Sequence, residues 1–355
     1  MDSRSRLGSY GRKVDLLRAI LQTHRKDSLC LSSQVATTWL TGARSFINLA
    51  VEASCFKVVV TPDQVYIVVN NIEAARLMEE EMDGLPVEVR SHLWYESERI
   101  PERVMPEAQF ADWLRAQQYL LDPYEQDVLQ KLSEDVGISV AQVMKSFSSG
   151  IRELDLAAEL NAALIRRNIE PVVTLVAGDE RTKLRRHPLP TDNRIQRYAL
   201  AAVCGRRHGL IASVTRSVSF VPLSEKVAAR HDCAAYVDAI AISSTKPGNT
   251  LGEVLERMQR AYADRGFADE WQLHHQGGIT GYYTRASLAK PGLSDLLQPG
   301  MAIAWNPSVH GTKTEDTCLL GKEKAQILTM SPEHWPTKDY TTPDGIIKRP
   351  EIFVR

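Results

Sequence analysis

The chain has 355 residues, with 43 Lys plus Arg against 44 Asp plus Glu, a formal charge of −1. That balance lacks the basic excess of a nucleic-acid binder, and 43% hydrophobic with 25% charged residues excludes wholesale disorder. No apolar run approaches the ~18 residues of a membrane span, and the opening MDSRSRLGSYGRK lacks the apolar stretch of a signal peptide, so a cytoplasmic protein is expected. Cys30, Cys55, Cys204, Cys233 and Cys318 are scattered and odd in number, which predicts buried reduced thiols rather than a disulfide framework.

In chain order, β-type runs at Phe56 to Val60 and Val65 to Val69 flank the turn signal Thr61-Pro62-Asp63. Glu73 to Met82 reads as a helix ended by Asp83-Gly84. These elements predict a small α/β layer over residues 1–121, with Pro101, Pro106 and Pro123 punctuating the exit. Over 122–355, Val128, Leu129, Leu132 and Val136 recur at helical spacing, with Gly137 as a break before a further helix to Phe147. Leu154, Ala157, Leu160 and Leu164 line one face of the next helix. Thr250 and Glu253 form a capping-box pattern before Val254, Leu255, Met258 and Tyr262. Each helical stretch precedes strand-like runs: 171–176 and 198–203 in the first half, 301–305 and 317–320 in the second. This is a faint duplication, and two such halves facing each other would enclose a crevice.

Four clusters carry groups able to do chemistry. Arg185-Arg186-His187-Pro188 pairs an imidazole with cations that lower its pKa or bind an anion; a solvated basic turn is the bland alternative. Gly205-Arg206-Arg207-His208-Gly209 reads as a charged hairpin tip. In His274-His275-Gln276-Gly277-Gly278, adjacent histidines on a strand would face opposite ways, so one at most would enter a crevice. Tyr282 and Arg285 follow, and arginine suits carboxylate or phosphate recognition. Trp305-Asn306-Pro307 and Gly311-Thr312-Lys313-Thr314-Glu315-Asp316-Thr317 bring acids beside a predicted strand. Composition and spacing do not choose a reaction among these groups.

In order, His187, GLIASVTR (209–216), HHQGG (274–278), PGMAIAWNP (299–307) and GTKTEDT (311–317) resemble the catalytic domain of the pita-bread family of creatinase, prolidase, aminopeptidase P and methionine aminopeptidase. Trp39-Leu40-Thr41-Gly42, followed by two strands, resembles the amino-terminal domain of its creatinase and aminopeptidase P branch. The resemblance implies an α/β (α+β) architecture: a creatinase-like amino-terminal domain, then a pita-bread domain with internal pseudo-two-fold duplication.

That family usually holds two divalent metals on two Asp, one His and two Glu. Matched on Thr215-Arg216, the resemblance puts Ala202 and Ser213 at the Asp positions, His275 at the His, and Asn306 and Glu315 at the Glu positions. Two of five ligands remain, which implies no tightly bound metal and no cofactor, with a single ion on His275 and Glu315 as the fallback. Creatinase lacks the metal set and works through a histidine proton shuttle. By that resemblance His187 is a general base or acid, His275 a second proton carrier, and Glu315 the anion that orients water or a cationic nitrogen. Ser213 and Asn306 become hydrogen-bonding walls, Tyr282 and Arg285 hold a substrate carboxylate, and Arg44 is the looser candidate, reaching the site from the partner in a homodimer. The expected activity is metal-independent hydrolysis, or a related lyase reaction, at a C–N bond of a small amide-like or amino-acid-derived molecule. A non-catalytic binding protein and an atypical metallo-aminopeptidase are the alternatives.

Overall fold

The computed structural model describes residues 5–330 and 334–355. Two compact units divide the chain after Asp127. The sequence boundary at 121/122 falls just ahead of the helix Pro123–Ser146, whose first turn therefore belongs to the first unit and the remainder to the second.

The first unit carries a five-stranded sheet in the order Glu88–His92, Val65–Asn70, Ala53–Val60, Leu29–Ser33, Met105–Pro106. Its centre is the expected hairpin, in register from Phe56 opposite Val69 to Val60 opposite Val65. The Val and Ile side chains at 58–60 on one strand and 67–68 on the next are buried, as β-branched residues packed on a pleated surface should be. Trp39 and Leu40 lie buried on the helix Gln34–Thr41, which ends at Gly42 with φ 71°, a left-handed cap that favours glycine. The helix expected over 73–82 is one α-turn, Ala74–Arg76, passing into a π-helical turn, Leu77–Glu81.

The second unit has two halves built alike, each with helices followed by an antiparallel sheet. In the first, the helices Pro123–Ser146 and Glu153–Ile165 precede Glu170–Gly178, Tyr198–Arg207 and Leu210–Ser219, neighbours in that order, with Phe353–Val354 added at the edge. His208 and Gly209, at φ 49° and 79°, make the tight turn of the long hairpin, so the charged cluster there is a tip as expected. In the second half, Glu225–Ser244 and Leu251–Asp264 precede a five-stranded sheet centred on Gly277–Ile279, Ala302–Trp305 and Asp316–Leu320. The Thr250–Glu253 capping box is formed in full.

One break expected from sequence is absent. Gly137 sits inside a continuous helix, and a Cβ there would overlap the Thr329 carbonyl oxygen. The glycine serves close packing rather than helix termination. The cysteines are all free; Cys55 is half-buried and the other four are buried. Among the described residues no helix is long and apolar enough to cross a membrane.

Candidate active site

Backbone and side-chain bonds stitch the two half-sheets together along Ser213–Thr215 and Glu315–Thr317. Ser213 N donates to Thr317 Oγ1 at 2.7 Å, Thr317 Oγ1 donates back to Ser213 O at 3.1 Å, and Thr215 N donates to Glu315 O at 3.0 Å. Beside this seam lies a cavity of about 270 Å³ lined by His187, His275, Arg285, Asn306, Lys313 and Glu315, with Ala202 and Cys204 on the wall. Strand alternation explains the next residue along: Asp316 turns away from Glu315 and meets Arg216 at 2.9 Å and Arg349 at 2.5 Å.

Glu315 is the electrostatic centre. Its Oε1 accepts from Arg285 Nη2 at 2.6 Å, and its Oε2 accepts from Lys313 Nζ at 2.7 Å and Thr215 Oγ1 at 2.8 Å. All three charged side chains are withdrawn from water: 3% exposed for Glu315, 8% for Lys313 and 11% for Arg285. Burial alone would raise this carboxyl, yet Lys313 and then Arg285 outweigh it and hold the acid far below the usual carboxylate range. Glu315 is therefore a committed counterion, a poor proton acceptor with both oxygens engaged. Arg285 also donates to Asn306 Oδ1 at 2.8 Å and lies 3.5 Å from Ser213 Oγ. Its Nε is buried without a partner among the described residues. Asn306 turns its amide to the carbonyl of His275 at 3.0 Å.

Three imidazoles form the other pole. His187, His274 and His275 each offer a nitrogen within 4.8 Å of the others. His274 Nε2 lies 3.1 Å from His187 Nε2, and its Nδ1 lies 3.0 Å from Ser308 Oγ. Burial and then Lys313 push His274 down to about 2; burial and then Arg285 bring His275 to about 4. His187, at the exposed rim, is lowered from 6.5 by burial and Lys313. All three rings are neutral at pH 7.

Sequence reasoning placed His275 and His187 on this cavity but assigned no part to His274. The two adjacent histidines share one cluster, with ring centroids 4.7 Å apart, because the strand starts only at Gly277. Alternation does not govern residues 274 and 275, which leave a 3-10 turn at Glu270–Leu273. Gly277, at φ 111°, then lets the chain press against Ala304 and Trp305, where a Cβ would overlap both backbones. Lys313 was also missed, although its position two residues before Glu315 signals a shared face on an extended chain.

The remaining expected residues divide. Arg285, Asn306 and Ser213 meet around Glu315. Tyr282 is buried, and Thr284 rather than Tyr282 reaches the cavity wall from that loop. Arg44 lies in the first unit, its Nε donating to Glu81 at 2.7 Å. Arg186 is not a solvated turn residue: it pairs with Glu270 and donates to Ser308 Oγ at 3.0 Å. Cys204 lines the cavity beside Ser213, but burial raises its thiol pKa, which disfavours a nucleophile.

Comparison with known proteins bears on the family and the fold. A protein of Sinorhizobium fredii described as an uncharacterized hydrolase/peptidase, y4tL, is 24% identical over 222 residues, 58% of this chain and 56% of its own. The chain thus spans about half the length of that curated relative. Among solved structures, the prolidase from Pyrococcus horikoshii OT3 superposes with a TM-score of 0.75 at 18% identity, covering 90% of this chain and 98% of its own. The dipeptidase PepE from Mycobacterium ulcerans gives 0.75 at 18% identity, with 99% of both chains covered. These likenesses show the pita-bread fold. The model of metallopeptidase family M24 matches residues 129–327, more than half of the sequence, and the chain belongs to that family.

Proposed function

We propose that the protein hydrolyses a C–N bond in a small amide-like or dipeptide-like substrate without a metal, using imidazole as proton carrier. The observation that carries this reading is the placement of Lys313 and Arg285 on Glu315. A dinuclear centre needs several carboxylates to hold two cations close together. Here the cavity has one carboxylate among the described residues, and two cations of the chain itself already neutralise it. Ala202 supplies no donor, while Ser213 and Asn306 supply neutral oxygens. The donor set does not fit a pair of divalent ions.

The cavity is instead net positive, with the neutral rings of His187 and His275 on its wall and buried His274 bonded to His187. In the hydrolysis, a neutral imidazole takes a proton from water as the water oxygen bonds to the carbonyl carbon. The positive field favours the charge that develops on the carbonyl oxygen. The C–N bond then breaks, and the imidazolium returns its proton to the leaving nitrogen. Glu315 keeps Lys313 and Arg285 in place and takes no proton. The C–N hydrolysis in this reading, though not its metal independence, is in line with the names of the relatives, a prolidase and a dipeptidase among them. A homodimer remains part of the proposal through the family resemblance, and a cytoplasmic setting through the scattered free cysteines.

The test is turnover of a panel of dipeptides and N-acyl amino acids in chelator, followed across pH. The base is active when neutral, and both His187 and His275 are lowered below 6.5. Protonation therefore removes activity only as pH falls through those lowered values. The acidic limb of kcat/KM is expected below pH 6.5; a limb above 7 overturns the imidazole base.

A second reading has one observation in its favour. Three imidazole nitrogens within 4.8 Å approach the spacing of a single tri-histidine metal site. Lys313 and Arg285, which lower all these rings or their neighbours, oppose it by repelling a cation.

A further inference from the structure

We infer that a hydrogen-bonded chain from Arg186 through Ser308 and His274 fixes the tautomer of His187, so that His187 presents Nδ1–H to the substrate as a hydrogen-bond donor rather than a base. The inference rests on the hydrolytic reading above and assigns the roles within it. The 3.1 Å contact between the two Nε2 atoms holds a single proton, and the far end of the chain decides which ring owns it. Arg186 Nη1 donates to Ser308 Oγ at 3.0 Å, and the guanidinium is never an acceptor. Glu270 anchors the other amino group of Arg186.

Ser308 is buried, and among the described residues its hydroxyl meets Arg186 and His274 Nδ1. Were it also to accept from His274 Nδ1–H, its own hydrogen would be left buried without an acceptor, an arrangement that buried hydroxyls avoid. If Ser308 instead donates to His274 Nδ1, every group is satisfied. His274 then carries Nε2–H and donates it to His187 Nε2. His187 must hold its proton on Nδ1, the nitrogen not committed to His274. Donation from Arg186 further polarises the serine hydroxyl and strengthens the next bond along.

The backbone supports this arrangement. Tyr262 Oη accepts from Ser308 N at 3.0 Å and donates to Gln276 Oε1 at 2.9 Å, and Gln276 Nε2 donates to His274 O at 2.6 Å. Residues 274 and 308 are thus tied to the same buried phenol. With His187 pinned as a donor to the carbonyl oxygen, the proton acceptor for water is His275. Lys313, Arg285 and Glu315 face both rings, and His274 acts on substrate only through His187, as a positioning residue.

The experiment is a long-range proton–nitrogen correlation spectrum of the full chain labelled with nitrogen-15 in histidine, at neutral pH and without substrate. His187 is expected as a single Nδ1–H tautomer and His274 as Nε2–H; the Nε2–H pattern on His187 overturns the inference. In Ser308→Ala, His187 is expected to become a tautomer mixture and kcat to fall several-fold with KM little changed, while Ser308→Thr keeps the single tautomer. An unchanged His187 tautomer in Ser308→Ala also overturns it. The spectrum requires no turnover: an Nδ1–H His187 in a protein that cleaves nothing sinks the hydrolase and leaves the chain standing. Conversely, an Nε2–H His187 in an active enzyme sinks only the chain.

Discussion

His187→Ala is expected to fold like the parent and to lose about 10²-fold or more in kcat, the usual range for removing one donor or proton carrier from the reacting centre. The expectation of an intact fold comes from the rim position of the side chain, which bonds to His274. Its chemical weight comes from its neutral state and its place on the cavity wall. Parent-like melting with full turnover would remove His187 from the mechanism. Parent-like melting with lost turnover separates a chemical role from a structural one.

Glu315→Gln is expected to cost stability, about 3–5 kcal/mol, because breaking a buried ion pair leaves the partner charge unpaired. Here two cations, Lys313 and Arg285, lose their counterion, and both are nearly excluded from water. Removing one of those cations at the same time should relieve part of the penalty. The double variant Glu315→Gln with Lys313→Met is therefore expected to be more stable than the sum of the single losses predicts, measured by denaturant unfolding. Strict additivity would contradict the counterion role. The linkage with pH has a definite sign: the Glu315 carboxyl is depressed in the folded state, so its contribution is present above its ordinary value near 4.5 and is lost as pH falls towards the folded value.

Much of the frame could be read from residue pattern. Short β-type runs either side of Thr61-Pro62-Asp63 marked the hairpin at 56–69, and Thr250 with Glu253 marked a helix start that the capping box confirms. Gly137 misled because a glycine required for the approach of Thr329 looks the same in sequence as a helix breaker. The π-helical turn at 77–81 also left no signature in the spacing. In the site, residue types predicted how little anionic charge the crevice holds, since Ala202, Ser213 and Asn306 are legible one by one. The destination of the remaining charge was not legible. That Arg285 would fold back on Glu315 depends on contacts between residues 30 positions apart. His274 was discounted through a strand rule applied three residues before the strand begins. Ser308 drew no notice, because a lone serine gains meaning only from the imidazole and guanidinium set on either side of it.

The most direct measurement is elemental analysis of the protein expressed and dialysed with manganese, cobalt and zinc, paired with turnover before and after chelation. An amine-and-imidazole cavity predicts trace metal and unchanged turnover. Two ions per chain, with activity that disappears on chelation and returns on reloading, would contradict it.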